Sequence, residues 1–199
     1  MKKVLLMAAV AVFGFTNVNA QDENTTGGFT KGDVYVSGTV GFDSQSQDEA
    51  KNNNLNFSPS VGYFVSENIA LEFNLLFGSQ KQEVGDFEQK QSQFGAGLGA
   101  TYFFTPGSQF SFTVGAGVAY VSSKEEEDGV DDDFKVNSFG IAVSPGVNYF
   151  VSDCFALRAS IGALSYTSSK ADFDGAEALN TFGLNLDLSD INFGITYKF

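Results

Sequence analysis

The stretch Leu55–Ser79, LNFSPSVGYFVSENIALEFNLLFGS, decides the fold. Apolar residues recur at alternate positions: Leu55, Phe57, Val61, Tyr63 and Val65, then Ile69, Leu71, Phe73, Leu75 and Phe77. Between them fall Asn56, Ser58, Ser60 and Gly62, and later Ala70, Glu72, Asn74 and Gly78. A period of two marks extended chain with one apolar face. The polar Ser66-Glu67-Asn68 is short enough for a hairpin turn. Two antiparallel strands therefore follow, each about ten residues long, the length of a tilted strand that crosses a bilayer.

Working outward, the same alternation predicts six more strands. The first covers Asp33–Asp43; the fourth, fifth, sixth and seventh cover Ser92–Phe104, Phe110–Ser122, Val136–Val151 and Phe155–Thr167. The eighth closes the chain with Ile191, Phe193, Ile195, Tyr197 and Phe199 on one face. Ser44–Asn54, Gln80–Gln91, Ser123–Lys135 and Ser168–Asn180 read as long polar loops, whereas Ser66–Asn68, Thr105–Gln109 and Ser152–Cys154 are short. That strict long–short order is what an eight-stranded antiparallel up-and-down transmembrane β-barrel requires, with tight turns inside the cell envelope and long connections outside. The fold class is all-β.

An internal repeat supports this topology. Phe57–Phe73 (FSPSVGYFVSENIALEF) and Val143–Ala159 (VSPGVNYFVSDCFALRA) match at nine of seventeen positions, 143 − 57 = 86 residues apart. Tyr63, Tyr102, Tyr149 and Tyr197 end the even-numbered strands, as an aromatic girdle at the periplasmic interface. Pro59 and Pro145 fall inside strands, where proline removes a ladder hydrogen bond, and their equivalence suggests a shared bulge. A change of phase between Leu188 and Ile191 predicts another near Ser189-Asp190.

Alternation does not say which face meets lipid. A soluble barrel would carry many charges on its polar face. Here that face is Gly, Ala, Ser, Thr and Asn, with Glu72 and Arg158 the clear mid-strand charges. The apolar face therefore looks outward into lipid.

Lys2 and Lys3 followed by the apolar run Val4–Phe15 and Val18-Asn19-Ala20 read as a secretory signal peptide, residues 1–20. A short segment, 21–32, then precedes the barrel, 33–199. Cleavage leaves nine Lys and Arg against 24 Asp and Glu, a net charge of 9 − 24 = −15. So acidic a chain repels phosphate backbones, which argues against nucleic acid as a partner. Cys154, the lone cysteine, cannot form an intrachain disulfide. There is no histidine, the usual general base and commonest zinc ligand, so no catalytic residue, cofactor or enzyme activity is assigned.

The C-terminal run INFGITYKF, with Tyr197 and the terminal Phe199, resembles the signal by which the outer-membrane assembly machinery recognises its barrels. Residues 29–199 resemble the small porin-like outer membrane β-barrel family, related to the N-terminal barrel of OmpA. The resemblance implies residence in the outer membrane of a Gram-negative bacterium, among its lipids and lipopolysaccharide.

Two sites are candidates. Glu72 and Arg158 occupy equivalent repeat positions, face inward and lie on strands four places apart. A charge in a narrow barrel is costly unless paired, so a lumenal ion pair is expected, as in the OmpA barrel on the corresponding strands. Glu125, Glu126, Glu127, Asp128, Asp131, Asp132 and Asp133 form an acidic run that reads as a possible divalent-cation loop, although it lacks EF-hand spacing. Two functions stay open: a structural or surface-interaction barrel presenting four variable extracellular loops, and a narrow gated porin for ions or very small solutes.

Overall fold

A computed structural model describes residues 27–47, 50–85, 87–127, 134–185 and 191–199. They form ten antiparallel segments: β1 (Val34–Gln47), β2 (Ala50–Phe64), β3 (Ile69–Val84), β4 (Phe87–Phe103), β5 (Phe110–Glu127), β6 (Phe134–Phe150), β7 (Phe155–Ile161), β8 (Ala163–Ala171), β9 (Leu179–Asn185) and β10 (Ile191–Lys198). β7 with β8, and β9 with β10, are the halves of the seventh and eighth strands. The wall runs β5-β4-β3-β2-β1-β10-β7-β6 and closes where β5 pairs with β6. This is an eight-stranded antiparallel barrel, sealed between first and last strands by Tyr35↔Lys198 to Thr39↔Gly194.

Repeated sequence gives repeated structure at the turns. Val65 N–H donates to the Ile69 carbonyl (3.0 Å) and Val151 N–H to that of Phe155 (2.8 Å). Ser66 and Ser152 each accept, through the hydroxyl, the backbone N–H three residues on. A serine side chain closing a tight turn explains why both survive in the two copies of the repeat.

Three expectations need correction. The regions read as long loops are mostly paired strand: β3 and β4 stay in register from Ile69↔Tyr102 to Val84↔Phe87, and β1–β2 and β5–β6 run on similarly. Beyond the membrane both faces meet water, so no apolar alternation betrays the strand, although its backbone is paired with the strand it turns into. Pro59 makes no bulge. The β2–β3 register is the same before and after it, and pairing merely lapses at Ser58 and Pro59. The residue insertion lies instead across from Pro145. Asn148 pairs with Arg158 but Ala142 with Ser165, so Gly162 is an extra residue on the seventh strand. Its φ of 59° is the left-handed geometry of a glycine bulge, and Ser144 Oγ–H donates to its carbonyl at 2.8 Å. The bulge shifts the outward set from Leu157 to Leu164 and Tyr166. The bulge expected near Ser189-Asp190 lies outside the described residues.

Candidate functional site: the lumen

Outward positions carry the large apolar side chains, from Tyr63, Ile69 and Tyr102 at one rim to Phe57, Phe77 and Phe94 at the other. On β3, the eight steps from Ile69 to Phe77 span about 27 Å along the strand. Tyr63, Tyr102, Tyr149 and Tyr197 all face outward at the end carrying the short turns, 36–49% exposed. Tyr197 packs on Phe155 and edge-on to Phe199, whose N–H donates to the Val34 carbonyl.

The inward face changes character along the barrel. At the short-turn end the residue after each girdle tyrosine points in: Phe64, Phe103, Phe150 and Lys198. Odd-numbered strands offer Tyr35 and the small Ala70, Ser111 and Ala156, so rings from one strand fit over small residues on the next. Phe29, from the segment before β1, fills the middle of this layer. Its ring centroid lies 4.7 Å from that of Phe64, 4.8 Å from Phe150, 5.1 Å from Tyr35 and 5.5 Å from Phe103. Phe29 N–H donates to the Pro106 carbonyl (2.7 Å), and Lys198 Nζ donates to the Gly28 carbonyl (2.5 Å) while sitting 5.6 Å from the Phe150 ring. This stopper was invisible in the alternation, because Phe29 belongs to no strand. A segment before the first strand too short to fold alone, with one phenylalanine beside Gly27-Gly28, was the available signal.

Above the rings lies the charged layer. Arg158 Nη1 donates to Glu72 Oε1 at 2.5 Å, Tyr35 donates its hydroxyl proton to the same oxygen, and Thr101 Oγ1 donates to Oε2 at 3.0 Å. The register Tyr35↔Gly62↔Glu72↔Gly99 puts two large side chains and two glycines on one level. A Cβ at Gly62 would collide with the Tyr35 ring, so glycine is what lets Tyr35 reach Glu72. The Arg158 guanidinium also lies 5.7 Å from the Tyr35 ring centroid and 5.5 Å from that of Phe103, tying the charged layer to the aromatic one. Both Glu72 oxygens are thus satisfied, the condition for tolerating a carboxylate in so narrow a bore. Across the wall Asn148, opposite Arg158, keeps its Oδ1 buried without a hydrogen-bond partner among the described residues.

Beyond this layer the lumen widens into a cavity of about 280 Å³, floored by Glu72 and Arg158 and walled by Ser37, Ser60, Asn74, Thr113 and Ser160. The acidic run does not assemble into a site in the described residues. Glu125, Glu126 and Glu127 belong to β5, where successive side chains point to opposite faces. Gln89 donates to Glu125, whereas Lys124 pairs with Glu126 at 2.7 Å. Asp128, Asp131, Asp132 and Asp133 lie outside the described residues. Among the described residues, no three His, Cys, Asp or Glu side chains gather closely enough to hold a metal. Cys154 is exposed in a short turn.

Residues 8–199 match the outer membrane protein beta-barrel domain, so the chain belongs to that family of outer membrane barrels. In fold it is similar to the outer membrane protein OprG from Pseudomonas aeruginosa (16% identity, 86% of this chain and 98% of that one, TM-score 0.56). A major outer membrane protein from Thermus thermophilus is also similar (11% identity, 84% and 98% covered, TM-score 0.51). No curated protein matches the sequence.

Proposed function

We propose that the chain is a non-conducting barrel that anchors β-ribbon extensions at the cell surface for envelope integrity or surface contacts. The observation carrying this reading is the double obstruction of the lumen: the Phe29-centred ring layer and, above it, the Glu72–Arg158–Tyr35 layer. Each spans the bore, and each is fastened to opposite walls. The ribbons are the paired extensions of β1–β2, β3–β4, β5–β6 and β8–β9, joined side by side where β2–β3, β4–β5 and β6–β8 stay paired as well. Export through a leader cleaved after Ala20, insertion by the barrel assembly machinery reading Tyr197 and Phe199, and residence among lipopolysaccharide belong to the same reading. It assigns no catalysis, and the chain has no histidine to serve as a base.

The cavity above the ion pair favours a second reading, a narrow porin whose two layers are gates. Planar-bilayer recordings of the refolded chain separate the two. The structural reading expects a quiet membrane with at most rare, small openings. Long-lived conductance steps at modest voltage would establish the porin instead.

A further inference from the structure

Past the apolar band, the two faces of the β3–β4 extension carry different chemistry. Ser79-Gln80-Lys81-Gln82-Glu83 is mirrored by Glu88-Gln89-Lys90-Gln91-Ser92, and the register sets each residue opposite its own kind. Lys81, Glu83, Glu88 and Lys90 share the outward face with Phe77 and Phe94, because side chains an even number of residues apart point the same way. They satisfy one another: Lys81 pairs with Glu83 (2.6 Å) and Glu88 (2.7 Å), and Lys90 pairs with Glu88 (2.7 Å). Gln80, Gln82, Gln89 and Gln91 take the inward face, the one that carries Glu72 and Thr101 lower down.

The inward amides continue across neighbouring strands. One row reads Asn54↔Gln80↔Gln91↔Glu125↔Phe134, and the row beneath it reads Asn56↔Gly78↔Gln93↔Ser123. Much of their hydrogen-bonding capacity is unspent. Gln80 donates to Asn52 and Asn56 donates to Asn54, each at 3.3 Å, and Gln89 donates to Glu125. Gln82, Gln91 and Gln93 make no side-chain hydrogen bond among the described residues. A Cβ built on Gly78 would lie 3.0 Å from Asn56 Oδ1 and 3.4 Å from Gln93 Oε1, so two amide oxygens converge over bare backbone. Phe134, on the same face, leaves its ring 47% exposed. Below the rows, Ser58 and Ser60 carry the polar face of β2 down into the 280 Å³ cavity that Glu72 and Arg158 close.

We propose that this inner mouth binds the end of a neutral saccharide chain arriving from the extracellular side. A side-chain amide offers donors and an acceptor at once, as a hydroxyl does, so amides spaced along paired strands match successive sugar hydroxyls. The two oxygens over Gly78 accept hydroxyl protons, and the exposed Phe134 ring takes the C–H face of a sugar ring. Charge narrows the class of ligand. Neither row contains a cation, and Asp43, opposite Asn54, and Glu125 stand at the two sides of the amides, so sulfated or phosphorylated chains are repelled. The closed floor means that the ligand seats and leaves by the same opening. The proposal rests on the reading of the extensions as surface contacts, narrows that reading to one class of partner, and does not depend on whether the lumen conducts.

The test uses the refolded chain in lauryldimethylamine oxide micelles, whose headgroups carry no sugar. Cellohexaose, maltohexaose, chitohexaose and a sulfated heparin hexasaccharide are titrated in turn, with saturation-transfer NMR as the readout. At least one neutral hexasaccharide is expected to bind with a Kd of about 1 mM or tighter, and the sulfated one at least about tenfold more weakly. Gln91→Ala combined with Gln93→Ala should weaken binding by about tenfold, and Phe134→Ala by about fivefold. Ser92→Ala, between the two glutamines on the outward face, should leave it unchanged. Heat-modifiable migration shows that each variant has folded. The proposal is overturned if the unaltered chain transfers saturation to none of the neutral hexasaccharides at about 10 mM, or binds the sulfated one more tightly. Equal losses in the Ser92 and glutamine variants overturn the assignment to the inner face. None of these results bears on conductance, so failure here leaves the occluded-lumen reading to its own recordings.

Discussion

The two ends of this barrel solve the same problem differently. Where the turns are short, the inward positions hold Phe64, Phe103, Phe150 and Tyr35, and Phe29 enters from outside the strands to complete the layer. Toward the opposite end the inward positions hold Gln80, Gln82 and Gln91, yet the strands remain paired to Val84↔Phe87. Backbone pairing alone is enough to extend these strands into water, because their N–H and C=O groups find partners on neighbouring strands whatever the side chains. Closing a bore requires volume, and volume comes only from large residues matched to small ones on neighbouring strands.

If that contrast is right, loss at the closed end should be costly, and in ways that differ by mechanism. Deleting Phe199 should have the largest effect of all, but only in cells. Phe199 is 71% exposed and contributes one backbone hydrogen bond and an edge contact with Tyr197, so refolding into micelles should be nearly unchanged. Heat-modifiable protein in isolated outer membranes should nevertheless fall to a small residue. Equal losses in both settings would make Phe199 a structural residue and not an assembly signal.

Arg158→Ala comes next. It leaves Glu72 with only Tyr35 and Thr101 as partners in the bore, and breaking a buried pair from one side costs about 3–5 kcal/mol. Urea titration of the refolded barrel reads this directly. Exchanging the charges, Glu72→Arg with Arg158→Glu, should recover much of the loss. Strictly additive effects in that double-mutant cycle would show the two residues to be uncoupled.

The smallest expected effects sharpen the contrast between the ends. Phe29→Ala should destabilise by less than the roughly 3–5 kcal/mol typical of a core phenylalanine, because its segment can unseat without opening a strand. Ser58→Ala, which lines the open cavity, should stay within about ±0.5 kcal/mol. A Ser58 variant as damaging as the Phe29 variant would mean that the wide part of the lumen is packed after all.

Glu72 and Arg158 show how far the linear pattern reaches. Their alternation put both inward, and the 86-residue repeat put them on strands three and seven of eight. Facing and strand number follow from period two, so the pair could be anticipated without any coordinates. Tyr35 could not. Its approach to Glu72 depends on Gly62 lying directly between them in register, and register is a relation between strands that no single strand encodes.

The same division runs through the whole molecule. By itself the sequence determined eight spanning strands, their order and the lipid-facing side, because a period-two pattern in a membrane admits one closed arrangement of paired backbone. Only the tertiary structure decided that the expected loops are ribbons, that the extra residue sits at Gly162 and not at a proline, and that Phe29 stops the lumen. Those features arise from contacts between segments distant in the chain, where neighbouring side chains carry no local sign of what they will meet.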